Sequence, residues 1–472
     1  MGYIAGENRK QTILFPEVLE DYVSEENPVR FMDAFVEALD MNELGFERAT
    51  PKDVGRPGYN PRDLLRLYVY GYVNEVRSSR KLERETQRNV ELMWLIGKLR
   101  PDHKTIADFR KDNLEAIKKV YGQFTQLCRR MGLLGGELIA VDGGKFRAVN
   151  SRERNYSRKK LEQLQSNIDR RIEEYLKSLD EADAKEHEEG VRDVSASEMK
   201  EKIEALKRRK NKYGEIKKTL DESGQTQVSL TDPDARMMKT RQGVHPCYNV
   251  QIATDSKHKL IVAQEVTNAV EDKGQLESIA GQAKEVLGVD KMEVVADMGY
   301  YNGSQVKRCG EKGITAYIQK PPVNNAGLFT KEQFKYESAR DVYVCPTGKE
   351  LRYWSYETAR ELRCYTTDDC LDCEMKKQCT RSAVRRIITR RPDEGILEQM
   401  SVRVRDNPGK MKLRKELVEH PFGTIKRWMN QGYFLTRGKP KVAAEMSLTA
   451  MAYNMKRAMN LTGVQAMLKA IE

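Results

Sequence analysis

The sequence predicts an α/β protein whose central sheet follows a helical N-terminal region. Apolar residues recur with a helical period through most of residues 1–130, and strand and helix signals alternate after residue 222. Between these regions lies a highly charged stretch whose apolar residues also follow a helical period. We therefore expect a mixed fold that carries an inserted pair of helices.

Composition limits the classes of protein to consider. A chain of 472 residues favours two to four domains over one compact core. Lys and Arg number 83 against 71 Asp and Glu, and the resulting charge of +12 favours a polyanionic partner, with nucleic acid as the leading candidate. The sequence contains neither an apolar run of the ~18 to 20 residues that span a bilayer nor a signal-peptide segment. We expect a cytoplasmic protein with no membrane partner, associated with the nucleoid when bound.

The first 130 residues form a predicted DNA-binding region. Helical spacing is clearest from Pro61 to Tyr72 and from Leu114 to Leu127. Two segments between them open at Ser78 and Asp102, which are typical N-cap residues, and then become basic. The alternative is a helical domain with an ordinary solvated basic face. The predicted DNA contacts are Arg80, Lys81, Lys104 and Arg110.

Two long helices are predicted at about 155–182 and 196–220, joined by a polar tip near 188–197. Their polar faces exceed what packing requires, so we expect an exposed hairpin that contacts DNA or a second protomer. The chain then alternates between strands and helices. The predicted elements are a β-hairpin of 248–255 and 260–266, a helix at 276–287, a strand at 292–296, a helix at 305–311 and a strand at 314–318.

Three acidic residues occupy settings that suit metal-assisted phosphoryl transfer. Asp142 and Asp297 each follow an apolar run that breaks into glycine, so both are predicted at strand ends. Glu419 lies in a helical run with Lys426 seven residues later, which predicts both on one helix face. Two divalent ions about 4 Å apart require hard carboxylate ligands on rigid elements. The three acids together therefore predict a two-metal site.

With these motifs, nearly the whole chain resembles the bacterial insertion-sequence transposases of the DDE type. The motifs that carry the resemblance are Val141–Gly144, Thr231–Met237, Tyr248–Gln251, Ala296–Tyr300 and Val418–Lys426. It implies that Asp142, Asp297 and Glu419 are the catalytic ligands of Mg²⁺ or Mn²⁺, and that Lys426 contacts a transposon-end phosphate. Related transposases often have Tyr and Arg where this chain has Lys412 and Lys415, and Arg414 is the candidate substitute for the Arg.

The resemblance also implies the domain organisation. An RNase H-like catalytic core is expected at 131–320 and 400–460, after a DNA-binding domain at 1–130. A helical hairpin at 151–222 and a Cys-rich insert at 321–399 interrupt the core. The expected partners are transposon ends and target DNA, bound by a homodimer, and the expected reactions are DNA cleavage and strand transfer.

Other polar residues compete for roles in the site. Asp232 and Asp234 are rival metal ligands, although an Asp-Pro-Asp sequence is typical of structural turns. His420 is a candidate general base or phosphate contact, but a two-metal mechanism does not require a base from the protein.

Five of the eight cysteines fall between residues 345 and 379. The spacing of Cys345, Cys370, Cys373 and Cys379 predicts a structural Zn²⁺ with four thiolate ligands in a reducing compartment. Cys364 is the predicted spare because it falls in a strand-like run, 362–365. The alternative is a set of buried free thiols.

Two other functions remain open from the sequence. A structure-selective nuclease on the same fold would hydrolyse DNA without joining it. A zinc-bearing DNA-binding regulator would bind DNA tightly without Mg²⁺-dependent cleavage.

Overall fold

The computed structural model describes residues 18–50, 57–151, 154–189, 194–322 and 327–472. The N-terminal part is helical, and Asn27, Asp40, Asn60, Asn89 and Asp102 cap its helices with side-chain oxygens. Its helices are α1 (Pro28–Glu37), α2 (Met41–Leu44), α3 (Pro61–Val73), α4 (Ser79–Glu85), α5 (Val90–Leu95), α6 (His103–Asp112) and α7 (Leu114–Arg130).

After strand β1 (Leu138–Arg147), the chain leaves the main body as a helical hairpin. A two-stranded ribbon at its base pairs β2 (Asn155–Ser157) with β3 (Gln227–Ser229), and the helices are α8 (Arg158–Glu189) and α9 (Val194–Glu222). Leu161, Ile168, Tyr213, Ile216 and Leu220 form its core. Both predicted helices are present, while the middle of the predicted polar tip, 190–193, lies outside the described residues.

The central sheet follows the predicted order of elements. Its further elements are β4 (Arg236–Thr240), β5 (Gly243–Asp255), β6 (Ile261–Thr267), α10 (Leu276–Leu287), β7 (Met292–Ala296), α11 (Gly303–Glu311) and β8 (Ile314–Ile318). The strands run in the order β4-β5-β1-β7-β8, and β6 also pairs with β5. Strand β1 is antiparallel to β5 and parallel to β7, which is parallel to β8.

A second, antiparallel sheet occupies the cysteine-rich part of the chain. Its strands are β9 (Lys335–Glu337), β10 (Val342–Val344), β11 (Glu350–Glu357), β12 (Leu362–Thr366) and β13 (Ile388–Arg390), and helix α12 (Lys376–Cys379) lies between the last two. The C-terminal helices are α13 (Glu394–Asp406), α14 (Pro408–Gly423), α15 (Lys439–Thr462) and α16 (Val464–Lys469).

Helices cover both faces of the central sheet. One face packs against α10, α11 and α13 through a cluster that includes Ile139 and Val141. The other face packs against α14 and α15, and the cluster on this side continues into the N-terminal helices, from Val23 to Leu133. The N-terminal helices therefore share a core with the sheet. In the part of the chain that the structure describes, no helix is both long and apolar enough to cross a membrane.

Strand β1 does not end at Asp142, so that detail of the prediction is wrong. The strand continues to Arg147 through both glycines, because each glycine leaves room for a group packed against the sheet. A Cβ atom on Gly143 would lie 2.4 Å from Oδ1 of Asp272, and one on Gly144 would lie 2.6 Å from the Phe422 ring. The glycines serve close packing here and do not end the strand.

Candidate active site

Asp142 on β1 and Asp297, which directly follows β7, come after paired positions of two neighbouring parallel strands. Ala140 of β1 is paired with Val295 of β7, and each aspartate comes two residues later. Burial, and after it the negative charge of Asp297, raise the pKa of Asp142 to about 7. A hydrogen bond of 2.9 Å from the Gly143 amide and the charge of Arg414 act in the opposite direction.

Helix α14 crosses this part of the sheet. Leu417 and Val418 pack with Ala140 of β1, and the ring of Phe422, one turn later, lies against Gly144. On the strand, Asp142 lies between the contacts at Ala140 and Gly144. On the helix, Glu419 lies between the contacts at Val418 and Phe422. The side chain of Glu419 is exposed.

The chemistry of the two aspartates fits the divalent ions that the resemblance implies. The paired Asp142 and Asp297 supply hard oxygen donors that repel each other when both are charged, and this pair suits a divalent cation. Within the described ranges, however, no three His, Cys, Asp or Glu side chains are grouped so as to hold a metal ion. The role of Glu419 as the third ligand stays a prediction.

Lys426 lies near Asp142 in a setting that differs from the prediction. Helix α14 ends at Gly423, and a π-helical turn, Thr424–Trp428, follows it directly. The prediction that one α-helix holds both Glu419 and Lys426 is therefore wrong. The wider turn changes the direction of the residues after Gly423. Nζ of Lys426 lies 4.5 Å from the centre of the Phe146 ring. Burial lowers its pKa to about 8, although the charge of Asp142 opposes this shift.

A polar cluster that the sequence analysis missed lies beside the two aspartates. Oδ1 of Asp272 accepts hydrogen bonds from Asn249 at 2.6 Å, Gln251 at 2.8 Å and Lys145 at 3.3 Å. Gln251 in turn accepts the hydroxyl of Tyr300. Asp272 lies in the loop before α10, where the sequence has no periodic signal, although Asn249 and Gln251 belong to the motif Tyr248–Gln251.

The rival candidates have structural contacts. Asp232 is fully buried and accepts hydrogen bonds from the Tyr248 hydroxyl at 2.8 Å and from the Gly438 amide at 3.2 Å. Asp234 accepts from the Lys439 amide at 2.8 Å, so both aspartates support the start of α15.

His420 is directed towards α15. Its Nδ1 lies 3.0 Å from the Tyr453 hydroxyl and its Nε2 lies 3.3 Å from a nitrogen of Arg457. Burial and the charge of Arg457 lower its pKa. These contacts account for His420 without a role in phosphoryl transfer.

The basic residues of the N-terminal region fall into two groups. Arg80 and Lys81 on α4 and Lys104 on α6 are exposed. The guanidinium of Arg110 instead lies over the Tyr68 ring, 5.4 Å from its centre, and donates a hydrogen bond of 3.3 Å to the Tyr72 hydroxyl. The prediction of Arg110 as a DNA contact is therefore wrong, because its guanidinium packs against the tyrosines of α3.

The structure brings the four predicted zinc-ligand cysteines into one neighbourhood. Burial raises the pKa of the Cys379 thiol, whereas the charge of Arg386 lowers it. The thiols of Cys370, Cys345 and Cys373 also raise this pKa, so all three lie close to Cys379. Cys364 is buried on β12. Among the described residues, these thiols do not form a ready group of metal ligands, so the zinc site stays a prediction.

Two family models match the chain. The Transposase domain (DUF772) matches residues 17–112, and the Transposase DDE domain matches residues 344–459, which include Glu419 and Lys426. Among solved structures, the chain is similar to the cryo-EM structure of the piggyBac transposase synaptic complex with hairpin DNA. The identity is 10%, the match covers 95% of this chain and 79% of that chain, and the TM-score is 0.32. No curated protein matches the sequence.

Proposed function

We propose that this chain, which belongs to the insertion-sequence transposases of the DDE type, binds the ends of its element and catalyses metal-dependent DNA cleavage and strand transfer. The observation that carries the proposal is the convergence of Asp142 and Asp297, each two residues beyond the paired Ala140 and Val295 of parallel strands below α14. The strand order β6-β5-β1-β7-β8, antiparallel in its first part and parallel in its second, supports an RNase H-like core.

The proposed reaction has two steps at one site. In the first, water attacks the phosphorus at the transposon end, and the bond from phosphorus to O3′ breaks to leave a 3′-hydroxyl. In the second, this hydroxyl attacks a target phosphodiester, forms a new bond to phosphorus and releases a target 3′-hydroxyl. Two divalent ions, Mg²⁺ or Mn²⁺, would supply positive charge for the attacking and leaving oxygens.

Asp142, Asp297 and Glu419 would hold these ions. Asp142 lies on β1 and Asp297 directly follows β7, so buried strands of one sheet carry both aspartates. Glu419 would complete the set from the helical segment that crosses β1 at Asp142. Its side chain is exposed, and in this proposal it would turn towards the aspartates when DNA and metal bind.

Lys426 would hold a phosphate oxygen of the transposon end. Its ammonium group lies against the Phe146 and Phe422 rings, so burial disfavours its charge. A phosphate placed beside it would restore that charge. We assign the first contacts with end DNA to Arg80, Lys81 and Lys104, which are exposed on α4 and α6.

The cysteine-rich sheet would be stabilised by one Zn²⁺ bound to Cys345, Cys370, Cys373 and Cys379. The mutual influence of the four thiols on the pKa of Cys379 supports this assignment. Four thiolates leave no open position, so the ion would have a structural role. Because two element ends must reach one target, the working complex would contain at least two protomers.

Incubation of the full-length chain with labelled element ends, Mg²⁺ and a plasmid target tests the proposal. We expect cleaved ends with a free 3′-hydroxyl and products joined to the plasmid, both dependent on the metal. Cleavage without joining would instead favour a nuclease. Binding of end DNA without cleavage in either Mg²⁺ or Mn²⁺ would contradict the proposal and favour a DNA-binding regulator.

A further inference from the structure

The Asp272 network lies on the face of β1 opposite to the face of Asp142. Gly143 and Lys145 of β1 are paired with Gln251 and Asn249 of β5, and they alternate with residues that face α14. Asp272 accepts three side-chain hydrogen bonds through the same oxygen, Oδ1. The network therefore lies behind the two aspartates.

This network connects the two segments that carry the aspartates. Gln251 is paired with Gly143, the residue directly after Asp142. Its side-chain oxygen accepts a hydrogen bond from the hydroxyl of Tyr300. Tyr300 is fully buried and is the last residue of the 3₁₀ turn that directly follows Asp297. One glutamine side chain thus joins the strand of one aspartate to the turn of the other.

Asp272 determines where that glutamine lies. Its carboxylate accepts a hydrogen bond of 2.8 Å from the side-chain amide nitrogen of Gln251. The amide oxygen of Gln251 is then turned towards Tyr300, whose hydroxyl donates a hydrogen bond to it. The carboxylate reaches this position because Gly143 has no Cβ atom. Lys145, at 3.3 Å, balances the charge of the carboxylate.

We infer that Asp272 is a positioning residue that sets the separation of Asp142 and Asp297 through Gln251 and Tyr300. The inference rests on the proposed function, because the two aspartates are the proposed metal ligands. A displacement of about 0.5 Å is enough to impair a site of this kind. Residues that support metal ligands typically change affinity by about 10 to 100-fold when they are replaced.

Binding of Mn²⁺ to the full-length chain, followed by electron paramagnetic resonance, tests the inference without DNA or turnover. We expect Asp272→Ala and Tyr300→Phe each to weaken binding about 10-fold or more. Asp272→Asn keeps one oxygen acceptor and should therefore lose less Mn²⁺ affinity than Asp272→Ala. Because both residues act through Gln251, the double variant Asp272→Ala/Tyr300→Phe should bind no more weakly than Asp272→Ala alone.

Asp341→Asn is the matched control. Asp341 lies beside the second sheet, away from the network, and its Oδ1 accepts hydrogen bonds from the hydroxyls of Tyr336 at 2.6 Å and Tyr365 at 2.7 Å. Its replacement should leave Mn²⁺ affinity unchanged, and thermal unfolding of every variant shows whether the fold is retained.

Each other outcome has a definite meaning. The inference would be overturned if folded Asp272→Ala and Asp272→Asn bound Mn²⁺ as tightly as the wild-type chain. It would also be overturned if the losses of Mn²⁺ affinity in the two single variants added up in the double variant. If Asp272→Asn lost as much Mn²⁺ affinity as Asp142→Ala, Asp272 would be a metal ligand, and this result would also overturn its positioning role. A wild-type chain that binds no Mn²⁺, or an Asp142→Ala variant that binds normally, would count against the proposed function itself.

Discussion

Asp297 lies close enough to Asp142 for its charge to add to the rise that burial causes in the pKa of Asp142, because each aspartate comes two residues after the paired Ala140 and Val295. Two charged carboxylates in this position repel each other in a setting with little water. A proton on Asp142 removes the repulsion, and a bound cation would do the same. The pair therefore connects the stability of the fold to both pH and divalent metal.

Without divalent metal, the wild-type chain should lose stability relative to Asp142→Asn as the pH rises from about 4 to about 7. Folded Asp142 binds its proton more tightly than the unfolded chain does, because its pKa is raised from 3.8 to about 7. The stabilisation is complete below the unfolded value and is lost as the pH passes the folded value. This shift corresponds to roughly 4 kcal/mol.

Denaturant unfolding of both proteins between pH 4 and pH 8 measures this effect. Added Mg²⁺ should restore part of the stability of the wild-type chain at pH 8 and have little effect on Asp142→Asn. A difference between the two proteins that does not change with pH would contradict the assignment.

Asp142→Ala, Asp297→Ala and Glu419→Ala should each abolish both cleavage and strand transfer while DNA-end binding stays nearly intact. Each change removes a proposed ligand of ions that serve both steps. Cleavage of labelled ends on gels, in Mg²⁺ and in Mn²⁺, is the measurement. Glu416→Ala is the control for Glu419, since Glu416 is an exposed glutamate on the same helix. Substantial activity in any one of the three variants would remove that residue from the site.

The alternation of strands and helices could be predicted because each element of the core has a clear apolar pattern. Helix 276–287 and strands 292–296 and 314–318 have the predicted bounds. The end of β1 differs from the prediction, because Gly143 and Gly144 follow the apolar run and indicate a strand end at Asp142. Their real role depends on Asp272 and Phe422, which are distant in sequence and only become neighbours in the fold.

The site was predictable only in part, for the same reason. Asp142 and Asp297 follow apolar runs, so their convergence could be expected from the sheet. Asp272 follows no such run, and its contacts depend on side chains from two strands. The interior position of Arg110 depends on Tyr68 and Tyr72, one turn apart on α3, and a basic sequence pattern does not indicate it.

Lys426→Ala should reduce cleavage but leave residual activity, in contrast to the carboxylate variants. Lys426 is proposed to position a phosphate, and weaker positioning lowers the rate without removing a metal ligand. Single-turnover cleavage at saturating protein measures the rate, with Arg427→Ala as the control because Arg427 is the adjacent, exposed cation. Activity equal to wild type in Lys426→Ala would exclude the phosphate contact.

Metal analysis should find about one zinc per chain, and Cys373→Ser should lower both zinc content and thermal stability. Thiolate ligation is coupled to folding, so loss of one ligand destabilises the cysteine-rich sheet. Cys364→Ser is the control, because Cys364 is buried on β12 and lies outside the proposed set of four. Zinc-free protein with unchanged stability would contradict the site.

The double variant Arg80→Ala/Lys81→Ala should weaken binding of element ends and reduce its dependence on salt. Each lost phosphate contact lowers the slope of log affinity against log salt by about 0.9, so two contacts lower it by about 1.8. Electrophoretic shifts from 50 to 200 mM salt measure the slope. The full chain must be used, because the N-terminal helices share their core with the sheet and α15. Lys307→Ala/Arg308→Ala is the control, because it removes an adjacent pair of exposed cations from α11. An equal change of slope in both double variants would mean that net charge, and not the surface of α4, determines the binding.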